Sequence, residues 1–295
     1  MLTQQNFGLD VVDTQVHIGP GGIQEMLGAM KAVGVKSVLL DEYWFVDMTG
    51  KPYVVLENEE IRPILPTAEV AALTYPESFA YLRRIKRRDP EAVSLVRQVA
   101  DSPYGKAIRL DVGLNPLEVM QLGEGGFDHI LAAAQECGLP VFIYASDYPE
   151  VIEGVANRFP NLKIIIDHCG VFSGFMREQE WTVVQPCSWE EHLAMYDKVL
   201  ALAKYPNVAL KWSHASEIFA GAAYPGDTLV PYLRKAIDAF GSERVMWASD
   251  HSALMTGETW AETLFGVKGV AGLTDEEKAN VLGKTARAWL NWPAE

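Results

Sequence analysis

Short apolar segments alternate with amphipathic helical segments along the whole of this 295-residue chain. Several apolar segments are nearly continuous in valine and isoleucine, as strands buried on both faces of a parallel sheet are. Eight strand–helix units in about 250 residues are typical of a (β/α)8 barrel. The strands are predicted at 9–17, 35–44, 78–85, 105–112, 139–146, 162–169, 207–214 and 244–250. The helices are predicted at 22–34, 88–102, 127–138, 148–159, 188–205, 228–240, 258–268 and 275–291.

An open, doubly wound sheet is the competing α/β architecture. It would need a glycine-rich phosphate loop after an early strand, and the segment Ile18-Gly19-Pro20-Gly21-Gly22 does not have the GxGxxG spacing. The sequence contains neither an internal repeat nor a linker. We therefore predict a single TIM-barrel domain over residues 1–295.

Two long connections, at 45–77 and 170–187, follow predicted strands and are rich in aromatic residues. A connection that follows a barrel strand rises over the C-terminal face, where catalytic residues gather. Long ordered loops at such a face commonly act as lids. We expect both connections to be lid loops.

Composition excludes several classes of partner. The net charge of -14 argues against nucleic acid and anionic membranes, and no apolar run approaches the roughly 18 residues of a membrane span. The first eight residues lack the pattern of a signal peptide. Three cysteines without a CxxC motif favour a reducing, cytoplasmic location. The expected partner is a small molecule, and a homodimer is expected only because such barrels often pair.

Polar side chains collect where the predicted strands end. In the first strand Asp13, Gln15 and His17 are two residues apart, so all three are expected to point the same way; Asp13 is interpreted as a structural hydrogen-bonding group. His214 and His251 are expected one residue off the inward face. The other candidates at these ends are Arg84, Arg109, Asp111, Tyr144, His168, Lys211, Ser213 and Asp250.

Five segments carry a resemblance to a known family. They are Val12–His17, Lys106–Leu110, Ile166–Gly170, Asn207–Ser213 and Arg244–Asp250. In this order and spacing the chain resembles the amidohydrolase superfamily, in the amidohydrolase-related (amidohydrolase 2) branch that includes small lactonases, decarboxylases and hydratases. The resemblance implies the barrel fold and an enzyme, a hydrolase of that superfamily.

The resemblance also defines where this chain departs from the metal-dependent members. Those members have histidines at the positions of Gln15 and His17, often a third at Tyr144, and an aspartate at Asp250. An amide and a phenol are poor zinc ligands, so no cofactor is expected, as in the pyrone-dicarboxylate lactonases that the chain resembles. If a metal is bound, it is one divalent ion, zinc or manganese, on His17, Asp250 and His168.

Without a metal, other groups must activate water and hold an oxyanion. Asp250 is predicted to be the general base, and His17, His168 and Lys211 are predicted to hold the oxyanion of a small cyclic ester, a lactone, or a related carbonyl compound. A substrate carboxylate, where present, would pair with arginine, although an ion pair of Arg109 with Asp111 or Glu42 is an equal alternative. The substrate-binding residues are predicted to be Arg109, Lys211, Tyr144, Gln15 and Arg84.

Two other functions are left open by the sequence. One is a metal-dependent decarboxylase or hydratase that acts on an aromatic or unsaturated carboxylate. The other is a barrel that has lost catalysis and only binds a ligand, although the presence of Asp250, His17 and His168 together argues against it.

Overall fold

A computed structural model describes residues 8–18, 21–41, 53–174, 177, 184–252 and 257–294. Eight parallel strands form a nearly closed barrel in the order β1-β2-β5-β6-β7-β8-β9-β10, and β3 and β4 form a separate hairpin. This confirms the predicted α/β barrel. The strands are β1 Val12–Val16, β2 Ser37–Leu40, β3 Tyr53–Val55, β4 Ile61–Pro63, β5 Phe79–Arg84, β6 Gly105–Asp111, β7 Val141–Tyr144, β8 Ile164–Ile166, β9 Val208–Trp212 and β10 Val245–Trp247.

Helices connect the barrel strands on the outside. Each predicted helix has a counterpart, but α2, α4 and α8 lie in segments that were not predicted to be helical. The helices are α1 Gly22–Val33, α2 Pro66–Thr74, α3 Ala92–Asp101, α4 Pro116–Gly123, α5 Asp128–Glu136, α6 Pro149–Arg158, α7 Trp189–Leu200, α8 Ala215–Ile218, α9 Val230–Phe240, α10 Trp260–Lys268, α11 Asp275–Ala279 and α12 Thr285–Trp289. A π-helical turn, Asn280–Lys284, joins α11 to α12.

The barrel interior has an apolar layer below a charged layer. Alternate strand residues point inward, and those nearer the N-terminal ends are aliphatic or aromatic. Two residues further along β2, β5, β6, β8 and β9 the inward positions become polar, and on β1 the polar residue Gln15 comes three residues after Val12. The apolar layer consists of Val12, Leu39, Ala80, Leu82, Ala107, Phe142, Ile165, Ala209 and Met246. The polar layer includes Gln15, Asp41, Arg84, Arg109, Asp167 and Lys211, all buried.

The C-terminal helix packs against the apolar layer from below. Ala286, Trp289, Leu290 and Trp292 belong to the same apolar cluster as the barrel interior. The preceding π-helical turn passes so close to the first strand that a Cβ on Gly283 would lie 1.8 Å from the Asp10 carbonyl oxygen. Only glycine allows this approach.

The junction of β10 with β1 is built differently from the other junctions. Among the described residues, the seven other neighbouring pairs form parallel ladders. Here Thr14 Oγ1 donates to the Trp247 carbonyl oxygen at 2.8 Å, and the Asp250 amide donates to the Gln15 carbonyl oxygen at 3.1 Å. Side chains and the chain beyond β10 therefore close the barrel.

A register shift between Asp13 and Val16 corrects one sequence prediction. Such a bulge changes which residues share a face. Gln15 points inward, whereas Asp13 accepts hydrogen bonds from Ser249 and from the Trp260 indole of α10. Asp13 and Gln15 therefore do not point the same way, although Asp13 is a structural hydrogen-bonding group as expected.

The connection predicted at 45–77 is partly regular, because it contains the β3–β4 hairpin and α2. The lid predictions for 45–52, 175–176 and 178–183 lie outside the described residues. No helix in the described part of the chain is long and apolar enough to cross a membrane.

Candidate active site

Unusual backbone conformations occur where three adjacent barrel strands end. His168, His214 and Asp250 follow β8, β9 and β10, and all three have left-handed φ values of 46°, 54° and 45°. Non-glycine residues adopt this region at a cost of about 1–3 kcal/mol, and such residues cluster at functional sites. The strained turns bring the three side chains together, with ligand atoms within 4.8 Å of one another.

Asp250 is the centre of this cluster. Its two carboxylate oxygens lie 3.3 Å from His17 Nε2 and 3.1 Å from His214 Nε2. Burial opposes ionisation, but the hydrogen bonds from the two imidazoles outweigh it and hold the pKa of Asp250 well below its usual range. Asp250 is therefore ionised at neutral pH, which is the form that a general base requires.

His214 lies between two carboxylates. Its Nδ1 is 2.8 Å from Glu217 Oε2, and its Nε2 faces Asp250. Burial alone would lower the pKa of His214, but hydrogen bonds to both carboxylates raise it to about 9. Ionised carboxylates only accept hydrogen bonds, so both ring nitrogens donate and His214 is an imidazolium.

His168 is a neutral imidazole. Its Nδ1 lies 2.8 Å from Ser213 Oγ, and its Nε2 lies 3.0 Å from an Arg109 nitrogen. Arginine can only donate, so Nε2 accepts and the ring proton is on Nδ1. Burial and the nearby charge of Lys211 lower the pKa of His168 well below its usual value, which agrees with the neutral ring.

The guanidinium of Arg109 is buried in a network of ion pairs. Its Nε donates to Asp167 and its Nη1 donates to Asp41, both at 2.6 Å, and its Nη2 faces His168. The ion-pair alternative that the sequence left open is therefore present, but with Asp41 and Asp167 as partners rather than Asp111. Glu42, the other predicted partner, lies outside the described residues.

Arg84 and Lys211 extend the same network. Arg84 donates to Asp41 through Nε and Nη2, and its Nη1 lies 2.5 Å from Asp111. The ammonium of Lys211 lies 2.5 Å from Asp167 and also donates to Gln15 Oε1. Lys211 is fully buried, so its charge influences the site through its partners Asp167 and Gln15.

Tyr144 forms part of the wall beside His168. Its ring makes edge contacts with His168 and Phe172, with centroid separations of 5.2 and 5.8 Å. Burial and the charge of Asp111 raise the pKa of its phenol above the usual value. Tyr144 is therefore a neutral hydrogen-bonding group and not an anionic ligand.

His168, His214 and Asp250 have the donor types and the spacing that fit a divalent ion. Glu217 stands behind His214, as carboxylates often do behind metal-bound histidines. The sequence named His17, Asp250 and His168 as the alternative ligands, so His214 replaces His17 in the cluster. The expectation of no cofactor stays a prediction.

Sequence reasoning named most members of this site and missed three. His214 was expected off the inward face, but its left-handed turn redirects the ring. Asp41 could have been recognised as the first charged residue after the buried strand β2, and Glu217 as the residue three positions after His214. His251 does stay apart: it stacks on Trp260 with the ring centroids 4.4 Å apart.

Comparison with known proteins adds a family and a fold. The sequence profile of the amidohydrolase family (Amidohydro_2) matches residues 78–292, which is most of the chain. The L-fucono-1,5-lactonase of Burkholderia ambifaria is 35% identical over 100 residues. That match covers 32% of this chain and 28% of the relative, so it spans little more than a quarter of the relative's length.

Solved structures share the fold at low sequence identity. An amidohydrolase from Burkholderia multivorans, with bound zinc, has a TM-score of 0.71 at 16% identity and covers 96% of this chain and 99% of its own. A Pseudomonas putida protein assigned as a 2-pyrone-4,6-dicarboxylic acid hydrolase has a TM-score of 0.71 at 17% identity, covering 97% and 99%. The 5-carboxyvanillate decarboxylase of Sphingomonas paucimobilis has a TM-score of 0.62 at 16% identity, covering 96% and 99%.

The family match agrees with the five motif segments and with the barrel. It confirms the resemblance that the sequence indicated and, at the level of the family, the prediction of a hydrolase. By its sequence profile and its fold, this chain belongs to the amidohydrolase family.

Proposed function

We propose that this protein hydrolyses a small cyclic ester. The observation that carries the proposal is the buried carboxylate of Asp250, held ionised between His17 and His214 at the C-terminal end of the barrel. A lactonase among the similar proteins supports the same reaction class. A lactone suits the site because an ester has a better leaving group than an amide.

In the proposed reaction, Asp250 accepts a proton from water as the water oxygen attacks the ester carbonyl carbon. The positive charge of the His214 imidazolium and the imidazole of His17, both beside Asp250, stabilise the negative charge on the carbonyl oxygen. Lys211 and Arg109 add positive potential from beneath. The ring C–O bond then breaks, and the proton returns from Asp250 to the leaving oxygen, which gives the open hydroxy acid.

The experiment is turnover of a lactone panel, followed by acid release, for the wild type and Asp250→Asn. Removing the proton acceptor is expected to lower kcat by about 10²- to 10⁴-fold, with an unchanged circular dichroism spectrum. Asp238→Asn, a neutralisation at an exposed helix position, is the matched control and should keep full activity. Wild-type turnover by Asp250→Asn would rule out this mechanism.

A second candidate is a metal-dependent decarboxylase or hydratase. The cluster of His168, His214 and Asp250 favours it, because it offers two imidazoles and a carboxylate to one ion. A divalent ion bound there would supply an electrophile and an acidified water. The metal content of the purified protein and the effect of a chelator on turnover separate the two candidates.

A further inference from the structure

We propose that the substrate is uncharged, so that the enzyme selects hydroxylated neutral lactones and rejects lactones that carry a carboxylate. This inference rests on the proposed lactone hydrolysis and adds the substrate class. It comes from the pairing of charges at the C-terminal end of the barrel.

The cations at this end of the barrel are already bonded to carboxylates. Arg109 uses its three guanidinium nitrogens on Asp167, Asp41 and His168, and Arg84 uses its three on Asp41 and Asp111. Both side chains are buried and their positive charges are paired with carboxylates of the protein, so neither guanidinium offers an unpaired charge to a substrate carboxylate. The role predicted for Arg84 and Arg109, to bind a substrate carboxylate, therefore does not fit these contacts.

The other positively charged side chains near the site are also paired with carboxylates. Lys211 pairs with Asp167, His214 with Glu217 and Asp250, and Arg177 with Asp147. Lys86 lies beyond the end of β5, and its positive charge helps to lower the pKa of Asp111. In the described part of the chain, each of these cations faces a carboxylate of the protein.

The segments that follow β2, β8 and β10 outside the described residues are acidic in composition. Residues 42–52, 175–176, 178–183 and 253–256 contain one basic residue, Lys51, and four acidic residues. The chain as a whole carries a net charge of -14, which disfavours the approach of an anion. An anionic group would therefore enter a buried site whose positive charges are already paired with carboxylates of the protein, which is unfavourable.

The groups that remain for a substrate suit hydroxyls. The Asp111 carboxylate is 25% exposed and can accept a hydrogen bond, and the neutral phenol of Tyr144 can donate or accept one. Neither group requires a charged ligand. This arrangement favours a lactone whose ring carries hydroxyl groups.

The test compares two lactones of the same ring size. Galactono-1,4-lactone ends in a primary alcohol, and galactaro-1,4-lactone has a carboxylate in its place. We expect kcat/KM to favour the neutral lactone by about 100-fold or more, because the carboxylate finds no unpaired positive charge in the site. Calorimetric binding of both lactones to Asp250→Asn reports the same preference without turnover. A preference for the acid in either assay would overturn the proposal.

The outcomes for the two proposals are separable. Turnover that favours the acid would keep lactone hydrolysis and reject the substrate class. Selective binding of the neutral lactone without wild-type turnover would support the substrate class and reject the reaction. Absence of both binding and turnover would count against both.

A charge variant provides a second measurement. Asp111→Asn removes the anion that occupies Arg84 Nη1, so it is expected to shift the preference about tenfold toward the acid. Glu153→Gln, which neutralises the partner of the exposed Lys204 on the outside of the barrel, is the matched control and should leave the ratio unchanged. An unchanged ratio in Asp111→Asn would contradict the proposal.

Discussion

At the scale of single residues, the site depends on His214 and Asp250 and on the backbone that holds them. Both residues have left-handed φ values, and the Asp250 amide is tied to the Gln15 carbonyl oxygen. The strain is local, and two contacts help to maintain it: His17 Nε2 lies beside the Asp250 carboxylate, and Glu217 accepts a hydrogen bond from His214 Nδ1. The geometry therefore places a carboxylate beside an imidazolium before any substrate binds.

The imidazolium of His214 gives a pH-dependent contribution to stability. Its pKa is raised from 6.5 to about 9 in the folded protein. The folded protein therefore binds this proton more tightly than the unfolded chain does. The contribution is therefore full below about pH 6.5 and is lost as the pH rises through about 9.

We expect the difference in unfolding free energy between wild type and His214→Gln to shrink by roughly 2–3 kcal/mol between about pH 6 and 9.5. Urea titrations at both pH values, with a chelator present, measure it. A difference that does not change with pH would contradict the assignment of a buried imidazolium.

At the scale of elements, the β10–β1 junction relies on the buried carboxylate of Asp13. This carboxylate accepts hydrogen bonds from the Ser249 amide and hydroxyl, the Gln15 amide and the Trp260 indole. Burial dominates and raises the pKa of Asp13 to about 7. Each of these hydrogen bonds therefore helps to stabilise the ionised form of the carboxylate. The junction in turn carries Asp250, the next residue after Ser249.

Trp260→Phe removes the indole donor to Asp13, at 2.7 Å, and keeps an aromatic ring to stack on His251. We expect a loss of about 1–3 kcal/mol of unfolding free energy, because a buried carboxylate loses a hydrogen bond. Trp189→Phe, at a half-exposed position on α7, should change stability by less than about 0.5 kcal/mol. Equal stability of the two variants in urea would argue against the role of Asp13.

The C-terminal helix α12 contributes through packing. Leu290, which follows it, is 1% exposed and belongs to the apolar cluster inside the barrel. Leu290→Ala is expected to cost about 2–5 kcal/mol, because it leaves a cavity in that cluster. Leu117→Ala, at a position 67% exposed on α4, is the control and should cost less than about 0.5 kcal/mol. A small loss for Leu290→Ala would mean that the helix does not help to fill the barrel.

At the scale of the whole molecule, the metal content of the purified protein separates the two candidate functions. We expect less than about 0.1 zinc, manganese or iron per purified chain, with turnover that survives chelation, because both ring nitrogens of His214 already face carboxylates and Nε2 of His168 already faces Arg109. Elemental analysis before and after dialysis against a chelator measures this. A stoichiometric ion that leaves together with the activity would favour the metal-dependent alternative on His168, His214 and Asp250.

The sequence by itself determined the barrel and most of its polar upper layer. Buried parallel strands are nearly continuous apolar runs, and this local pattern allowed all eight to be located. The side chains at their ends, such as Asp250, His168 and Lys211, follow from the same pattern, because parallel strands bring their C-terminal ends to one face.

Only the tertiary structure decided how these residues are used. The bulge that separates Asp13 from Gln15 depends on the contacts of Asp13 with Ser249 and Trp260. The left-handed turn at His214 depends on the contact of His214 with Glu217. The pairing of Arg109 with Asp41 and Asp167 joins strands that are far apart in sequence. The alternation of inward and outward side chains along a strand is a local property of the sequence. The bulge, the left-handed turn and the partners in the ion pairs depend on residues that only folding brings together.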